Sequence, residues 1–379
     1  MRLALASRIA GIVIASILLI IIGFLLYINR DCGVIEEFEP IELIDLQHIT
    51  IEDLYKLQPE ELKKVKSLSM SSDRTGIVMK EFPPIVSKLI NLEYLFCEGN
   101  NISDLTPIKD LTHLKMIHLR FNDVSDWKGF ENLTNLSHLL VGGNKLSDWK
   151  GVENLTNLSL LDISYNKLFN LKGIKKLKKL KGLDLTANHD LTDLSEIEEL
   201  TSLEELIIGD TNAATFPDSF YSVGLPIEKL RMSNMPYFDY TSNLSKFHQL
   251  SNLQELYLSQ DNIPELNVDF EKCYNLEKFD YTYIKGIDIV DVLKRISKAP
   301  KLKHLVLSVN NIQYLPDDIL LPDSLENLNL SYNKIRKLPI KIIIYTNLKE
   351  VNLRGNPIDT MAIRIIEKEM VNTKFYYDK

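Results

Sequence analysis

The sequence is poor in cysteine and lacks the short motifs that mark catalytic centres. Its three cysteines, Cys32, Cys97 and Cys273, are too few and too widely spaced for a disulfide framework or a zinc site. A glycine-rich phosphate loop, a Gly-x-Ser-x-Gly nucleophile turn and a His-Glu-x-x-His zinc motif are all missing from the 379 residues. These absences predict a protein that is not an enzyme and that holds no cofactor and no metal ion.

An excess of basic charge is missing too. The 44 lysines and arginines are outnumbered by 52 aspartates and glutamates, and the net charge of −8 gives no overall attraction to nucleic acid or anionic lipid. Six lysines between Lys172 and Lys181 interleave with leucine and isoleucine, which indicates a solvated face above a core. We therefore expect no nucleic-acid partner.

One long run lacks charge entirely. Residues 9–28 contain no charged side chain, and twenty helical residues span the ~30 Å hydrocarbon core of a bilayer. The run is longer than the apolar core of a signal peptide, and no small-x-small cleavage site follows it. Arg2 and Arg8 precede the run and Arg30 follows it. We therefore expect residues 1–8 in the cytoplasm and the repeat domain exported, at the cell surface or in the periplasm.

Three further features lie around this predicted membrane helix. Gly11 and Ala15 have the spacing of a helix-dimerising face, although small residues are common in membrane helices, so a homodimer through them is one open alternative. Residues 29–50 are rich in acidic side chains and predict a solvated stalk. Residues 51–64 have the apolar spacing of a helix, which would cap the first repeat.

The rest of the chain is periodic. The pattern Leu-x-x-Leu-x-Leu-x-x-Asn recurs every 22 residues from Leu92 to Leu180, and thirteen repeats, some degenerate, span residues 65–358. Leucines at the fourth and sixth positions share one face of a short strand, and parallel strands of successive repeats stack ~4.8 Å apart. The ninth-position asparagine can bond buried backbone groups where the chain leaves the strand, which an apolar side chain cannot do.

These repeats resemble those of leucine-rich repeat proteins over residues 65–360, and residues 92–200 are similar to the 22-residue repeats of bacterial internalins. The resemblance implies an α/β fold, a leucine-rich repeat solenoid with a curved parallel sheet of about 13 repeats and helical N- and C-terminal caps. Residues 359–379 would form the C-terminal cap. The chain departs from internalins in its predicted membrane helix and in lacking an immunoglobulin-like domain and a Leu-Pro-x-Thr-Gly sorting signal. Adhesion is therefore not carried over.

The array is not uniform. In four successive repeats the ninth position is Thr211, Met235, Asp261 and Ile284, and repeat length varies between 23 and 26 residues there. Since methionine and isoleucine cannot bond the backbone of a turn, we predict locally irregular structure between residues 211 and 301.

The outward-facing strand positions carry the candidate partner site. In the repeats that start at residues 92–158 they hold large apolar and aromatic side chains that a solenoid does not require. The candidate partner-binding residues are Tyr94, Phe96, Met116, His118, Phe121, His138, Leu140, Leu160, Asp162 and Tyr165. A cap or loop that covers them is the alternative. A metal site at His118 and His138 would need a third close ligand, and Asp162 is two strands from His118, so we expect none.

Together these patterns predict a membrane-anchored, non-catalytic module that binds a protein or peptide on the concave face of its repeats. The alternative is a cytoplasm-facing regulatory scaffold, similar to leucine-rich repeat subunits that regulate phosphatases.

Overall fold

The computed structural model describes residues 51–260 and 263–378. The predicted membrane helix with its Gly11 and Ala15 face, the acidic stalk and Asp261 lie outside the described residues. In the described part, no helix is both long and apolar enough to cross a membrane. The described residues belong to one compact unit, Gln47–Lys379, which has its own continuous hydrophobic core and therefore the requirements of an independently folding unit.

Fourteen strands of the described residues lie side by side in one parallel sheet, in chain order. Corresponding leucine positions align across it, so that Leu95 lies opposite Ile117 and Ile117 opposite Leu139, all fully buried. This is the predicted leucine-rich repeat solenoid. The strands are β1 Ser67–Ser69, β2 Tyr94–Phe96, β3 Met116–His118, β4 His138–Leu140, β5 Leu160–Asp162, β6 Gly182–Asp184, β7 Glu205–Gly209, β8 Lys229–Ser233, β9 Glu255–Ser259, β10 Lys278–Thr282, β11 His304–Val306, β12 Asn327–Asn329, β13 Glu350–Asn352 and β14 Lys374–Tyr376.

Short helices connect the strands on the other side of the core. The α-helices are α1 Ile51–Leu54, α2 Pro59–Leu62, α3 Ser72–Thr75, α4 Asp218–Ser222, α5 Tyr240–Leu244, α6 Ile289–Ile296 and α7 Thr360–Glu369. The 3₁₀ helices are Pro84–Lys88, Thr106–Ile108, Val152–Asn154, Ile174–Lys176, Ile197–Glu199, Phe247–Gln249, Phe270–Lys272 and Ile340–Ile344. A 22-residue repeat leaves room for only one such turn, which is why the 3₁₀ form dominates in the regular repeats.

The ninth-position asparagines bond the backbone between layers, as predicted. Nδ2 of Asn144 donates to the carbonyl oxygens of Leu119 and Val141, both at 2.9 Å, and its Oδ1 accepts from the amide of Val124 at 2.9 Å. Each asparagine of this kind therefore links its own repeat to the preceding one. The same arrangement holds at Asn100, Asn122, Asn166, Asn333 and Asn356.

The N-terminal cap differs from the single helix predicted over residues 51–64. It is two short helices, α1 and α2, because Pro59 has no amide hydrogen and would break a continuous helix. Proline is well suited to the first turn, and the amide of Gln58 donates to Oε2 of Glu61 at 2.8 Å in a capping box. Leu54 and Leu62 are both buried, so the two helices still cover the core.

The prediction of irregular structure between residues 211 and 301 is wrong for the described part of that stretch. Strands β7 to β10 have five residues each, against three in every other strand, and they pair without interruption. Thr211, Met235 and Ile284 are buried. The backbone bonds just after these strands are those of the regular repeats. The amide of Asp210 donates to the carbonyl of Ser233 at 2.9 Å, as the amide of Phe121 donates to that of Gly142 at 2.9 Å.

The additional residues of these longer repeats enlarge the core. Helices α4 and α5 bring aromatic side chains inward, and the rings of Phe216 and Phe220 stack with centroids 4.3 Å apart. The hydroxyl of Tyr221 donates to Oδ1 of the buried Asn243 at 2.7 Å. The departures from the 22-residue period are therefore a change of packing, not a loss of structure.

The C-terminal cap contains the predicted helix and one element that the sequence did not reveal. Helix α7 begins after Asp359, whose carboxylate accepts from the amides of Met361 and Ala362. After it, β14 pairs with β13 as a fourteenth strand, although residues 374–376 carry no leucine-rich motif.

We expect Asn144→Ala to lower the free energy of unfolding by about 3 kcal/mol or more, because three buried backbone groups lose their partner. Asn135→Ala is the matched control, since this exposed asparagine makes one bond, to the carbonyl of Thr112, and should cost less than about 1 kcal/mol. Urea denaturation, monitored by circular dichroism, measures the free energy of unfolding of both variants. Equal losses for the two variants would contradict the structural role assigned to the buried asparagine.

Candidate partner-binding surface

The sheet brings the predicted partner-binding residues together. Parallel register places them in two rows that run across β2 to β5, on the face of the sheet turned away from the core; we call this face the sheet surface. Phe121 and Tyr165 follow just after the ends of β3 and β5. One row is Tyr94, Met116, His138 and Leu160, and the other is Phe96, His118, Leu140 and Asp162.

Two of the ten predicted residues are not presented as expected. Phe121 is 57% exposed and Tyr165 41%, and six others are partly exposed. Leu160 is only 4% exposed and Asp162 is fully buried, which corrects their prediction as outward-facing contacts.

The burial of Asp162 has a specific cause in its neighbours. Nε of Arg120, from the third repeat, donates to Oδ2 of Asp162, and Ser164 donates to Oδ1 through both its amide and its hydroxyl. Arg120 can reach across β4 to Asp162 because the repeat that contains β4 has a glycine, Gly142, next to the Asp162 carboxylate. A Cβ on Gly142 would lie 2.8 Å from Oδ2 of Asp162. The glycine is needed for space.

A second carboxylate lies beside this pair. Asp184 is opposite Asp162 in the register of β5 and β6, and its Oδ1 accepts from the amide of Thr186 at 2.9 Å. Burial first, and then the Asp162 carboxylate, raise the pKa of Asp184 to about 7, while Thr186 and Arg120 act in the opposite direction. One guanidinium and two carboxylates therefore form a polar cluster where the apolar rows end, beside the sixth repeat, and the sequence did not predict it.

The most exposed aromatic residues of the candidate site have unusual backbone conformations. The eighth repeat position is left-handed, with φ of 55° at Phe121 and 51° at Tyr165. A residue with a Cβ is disfavoured in this region by about 1–2 kcal/mol. The Phe121 ring lies over Gly143 of the next repeat, where a Cβ would be 2.5 Å from its Cδ1. The same conformation recurs at the eighth position of other repeats, including the exposed Tyr283 and Tyr332, so it belongs to the fold and is not specific to the candidate site.

The two histidines have separate environments. Nε2 of His118 lies 3.5 Å from Oε2 of Glu98, and the His118 ring packs edge-on against Phe96. Nδ1 of His138 is 2.8 Å from the hydroxyl of Ser137, and burial lowers the pKa of this histidine. Within residues 51–260 and 263–378, no group of three histidine, cysteine or acidic side chains is placed to hold a metal ion.

The sheet surface changes character after β6. The charged residues of β7 to β10 pair with one another, as Nζ of Lys229 and Nε of Arg231 lie 3.8 Å and 3.7 Å from Oε1 of Glu205. The guanidinium of Arg231 and the ammonium of Lys278 also lie over the Tyr257 ring, at 4.3 Å and 4.9 Å from its centroid. Cations and anions from neighbouring strands thus offset each other here, and Tyr257 at the centre was not among the predicted site residues.

The lysine-rich segment and the two described cysteines are not part of the candidate site. The lysines between Lys172 and Lys181 are exposed while the interleaved leucines are buried, and Lys178 pairs with Glu199 at 2.9 Å. Cys97 and Cys273 are both buried, and burial raises the pKa of the Cys273 thiol to about 12. Neither thiol is therefore reactive at neutral pH.

Comparisons with known proteins agree with the architecture. A family model for two copies of the leucine-rich repeat matches residues 90–132. An internalin of Listeria monocytogenes is 21% identical, with a TM-score of 0.64 over 85% of this chain and 89% of that one. A leucine-rich repeat protein of Leptospira interrogans is 22% identical, with a TM-score of 0.61 over 87% of this chain and 93% of the other.

A third similar structure is the LRIM1/APL1C complex, at 19% identity and a TM-score of 0.50, covering 77% of this chain and 57% of that one. At these identities the likenesses are evidence for the fold. Combined with the 22-residue period, the asparagine bonds and the single parallel sheet, they show that the chain has the leucine-rich repeat fold.

Proposed function

We propose that the protein is membrane-anchored and captures a protein or peptide on the sheet surface of its second to fifth repeats. Leucine-rich repeat domains commonly act as non-catalytic interaction scaffolds, and the LRIM1/APL1C structure is itself a complex. The observation that carries the proposal is the pair of rows of apolar and aromatic side chains across β2 to β4, which contain Phe96 and Leu140 and lie beside the exposed Phe121 and Tyr165.

The proposed site has the anatomy of an interface core with a polar border. Aromatic and aliphatic side chains occupy β2 to β4, and the Arg120, Asp162 and Asp184 cluster limits them on one side. Interface cores are enriched in aromatic residues and depleted in charge, whereas rims are polar. The charges of β7 to β10 are already paired with one another, so they contribute less binding free energy to a partner. Breaking an existing ion pair offsets the gain from a new contact.

Export of the repeats is proposed from the sequence alone. It rests on the uncharged run of residues 9–28 and on the arginines before it. The opposite topology would place the same surface in the cytoplasm as a regulatory scaffold, so the topology needs its own experiment.

We expect replacement of Phe96, Phe121 and Leu140 by glutamate to abolish partner capture, because three charges would be buried at the centre of the contact. The measurement is crosslinking of wild-type and variant proteins in cells, followed by mass spectrometry of the captured proteins. The matched control replaces Val223, Tyr237 and Tyr274, which are exposed residues outside the site, by glutamate. Partners retained by the site variant, or lost equally in the control, would refute the proposed surface. Circular dichroism checks that both variants fold.

Cysteine labelling tests the topology. Because Cys97 and Cys273 are buried with raised pKa values, a membrane-impermeant maleimide should react with native protein only at Cys32, close to the predicted membrane helix. We expect labelling of intact cells if the repeats are exported, and none in a Cys32→Ser variant. Labelling that requires cell lysis would support the cytoplasmic scaffold instead.

A further inference from the structure

Exposed aliphatic side chains gather at the C-terminal end of the solenoid, away from the sheet surface. Helix α7 packs against the 3₁₀ helix Ile340–Ile344. Met361 and Ile365 lie one turn apart on the outer face of α7, while Ile363 and Ile366 fill the core behind them. The four outer side chains, which we call the cap patch, are 56% to 77% exposed: Ile340, Ile344, Met361 and Ile365.

Basic side chains flank the cap patch, and helix α7 also carries the exposed Glu369 four residues after Ile365. Arg364 and Lys368 share the outer face of α7 with Met361 and Ile365, because residues three, four and seven apart lie on one side of a helix. Lys337 and Lys341 belong to the segment around the 3₁₀ helix. Within the part of the chain that the structure describes, none of these four cations lies within 4 Å of a carboxylate oxygen.

This local charge opposes that of the whole chain. Residues 334–379 contain ten lysines and arginines against five aspartates and glutamates, whereas the complete sequence has a net charge of −8. The overall balance gives no attraction to an anionic surface, but the C-terminal end does. Unpaired cations around exposed aliphatic groups have the chemistry of a surface that binds anionic lipid headgroups and inserts apolar side chains between them.

We propose that the cap patch docks on an anionic lipid bilayer. Its apolar residues are all aliphatic, whereas protein contact centres favour tryptophan and tyrosine. Side chains as exposed as Met361 project outward, which suits insertion into a deformable interface. A second copy of the chain is a poorer match, because Lys337, Lys341 and Lys368 around the patch are of a residue type that is depleted at protein–protein interfaces.

The lipid proposal rests on residues that the partner site does not use. Its failure would therefore leave the partner site untouched, and the converse also holds. The unit Gln47–Lys379 is the appropriate test protein, because it has its own core and excludes the uncharged run of residues 9–28.

The experiment is flotation of this unit with vesicles of phosphatidylcholine alone or with one quarter phosphatidylglycerol. We expect binding to the phosphatidylglycerol vesicles, weakened by salt, and little to the neutral ones. Met361→Glu/Ile365→Glu should reduce binding about tenfold or more, and Arg364→Glu/Lys368→Glu should reduce both the binding and its salt dependence. The matched control, Ile90→Glu/Val223→Glu, changes exposed aliphatic residues elsewhere and should bind like wild type.

Absence of wild-type binding to the anionic vesicles would overturn the proposal, and so would equal binding by the Met361→Glu/Ile365→Glu variant. Analytical ultracentrifugation without lipid tests the other possible occupant of the cap patch, a second copy of the chain. If the wild-type unit is a dimer and that variant a monomer, the cap patch joins two copies of the chain and the lipid proposal is wrong.

Discussion

Every layer of this solenoid has to satisfy backbone groups at the point where the chain turns away from its strand, and a hydrophobic core provides no water to do so. Asparagine satisfies these groups with one side chain. Its amide nitrogen donates to a carbonyl of its own repeat and to one of the preceding repeat, and its oxygen accepts from an amide that lies beyond the turn of the preceding repeat. The bond set tolerates changes in repeat length, because Asn333 and Asn356 make the same bonds to the preceding repeat across a spacing of 23 residues.

The same constraint explains how far sequence reasoning reached. Leucine spacing and asparagine position together fix strand, turn and register, so the parallel sheet and its two outward rows were predictable residue by residue. The central repeats were mispredicted because a missing asparagine was equated with a missing turn. The parallel strands continue there without the asparagine, and the aromatic side chains of α4 and α5 fill the wider core. Strand β14 has no leucine-rich motif from which its pairing with β13 could be predicted.

The sequence also predicts only part of the candidate site. Periodicity identifies which side chains leave the core face of a strand, but it does not identify which of them a neighbour covers. The carboxylate of Asp162 is ion-paired with an arginine two repeats away, and that contact depends on the absence of a side chain at Gly142. The left-handed conformation of Phe121 and Tyr165 is equally invisible in the motif, because the eighth position is left-handed in other repeats too, with side chains that range from glycine and alanine to tyrosine.

Scaffold and function are thus divided among positions of one repeating unit. Leucines and asparagines hold the layers together, while the third, fifth and eighth positions are free to vary and give the sheet surface an apolar half and a charge-paired half. The C-terminal cap adds a surface of different chemistry, with cations and aliphatic groups on the side of the core that the sheet does not occupy.

Residue-resolved hydrogen–deuterium exchange tests the central role of the asparagines most directly. The amides of Ile102, Val124, Leu146 and Leu168 donate to Oδ1 of the next asparagine along the array, at 2.9–3.0 Å, although none of them lies in a strand. We expect these four amides to exchange as slowly as those of the neighbouring strands, because they open only when the layers separate. Exchange as fast as that of exposed surface turns would contradict the account.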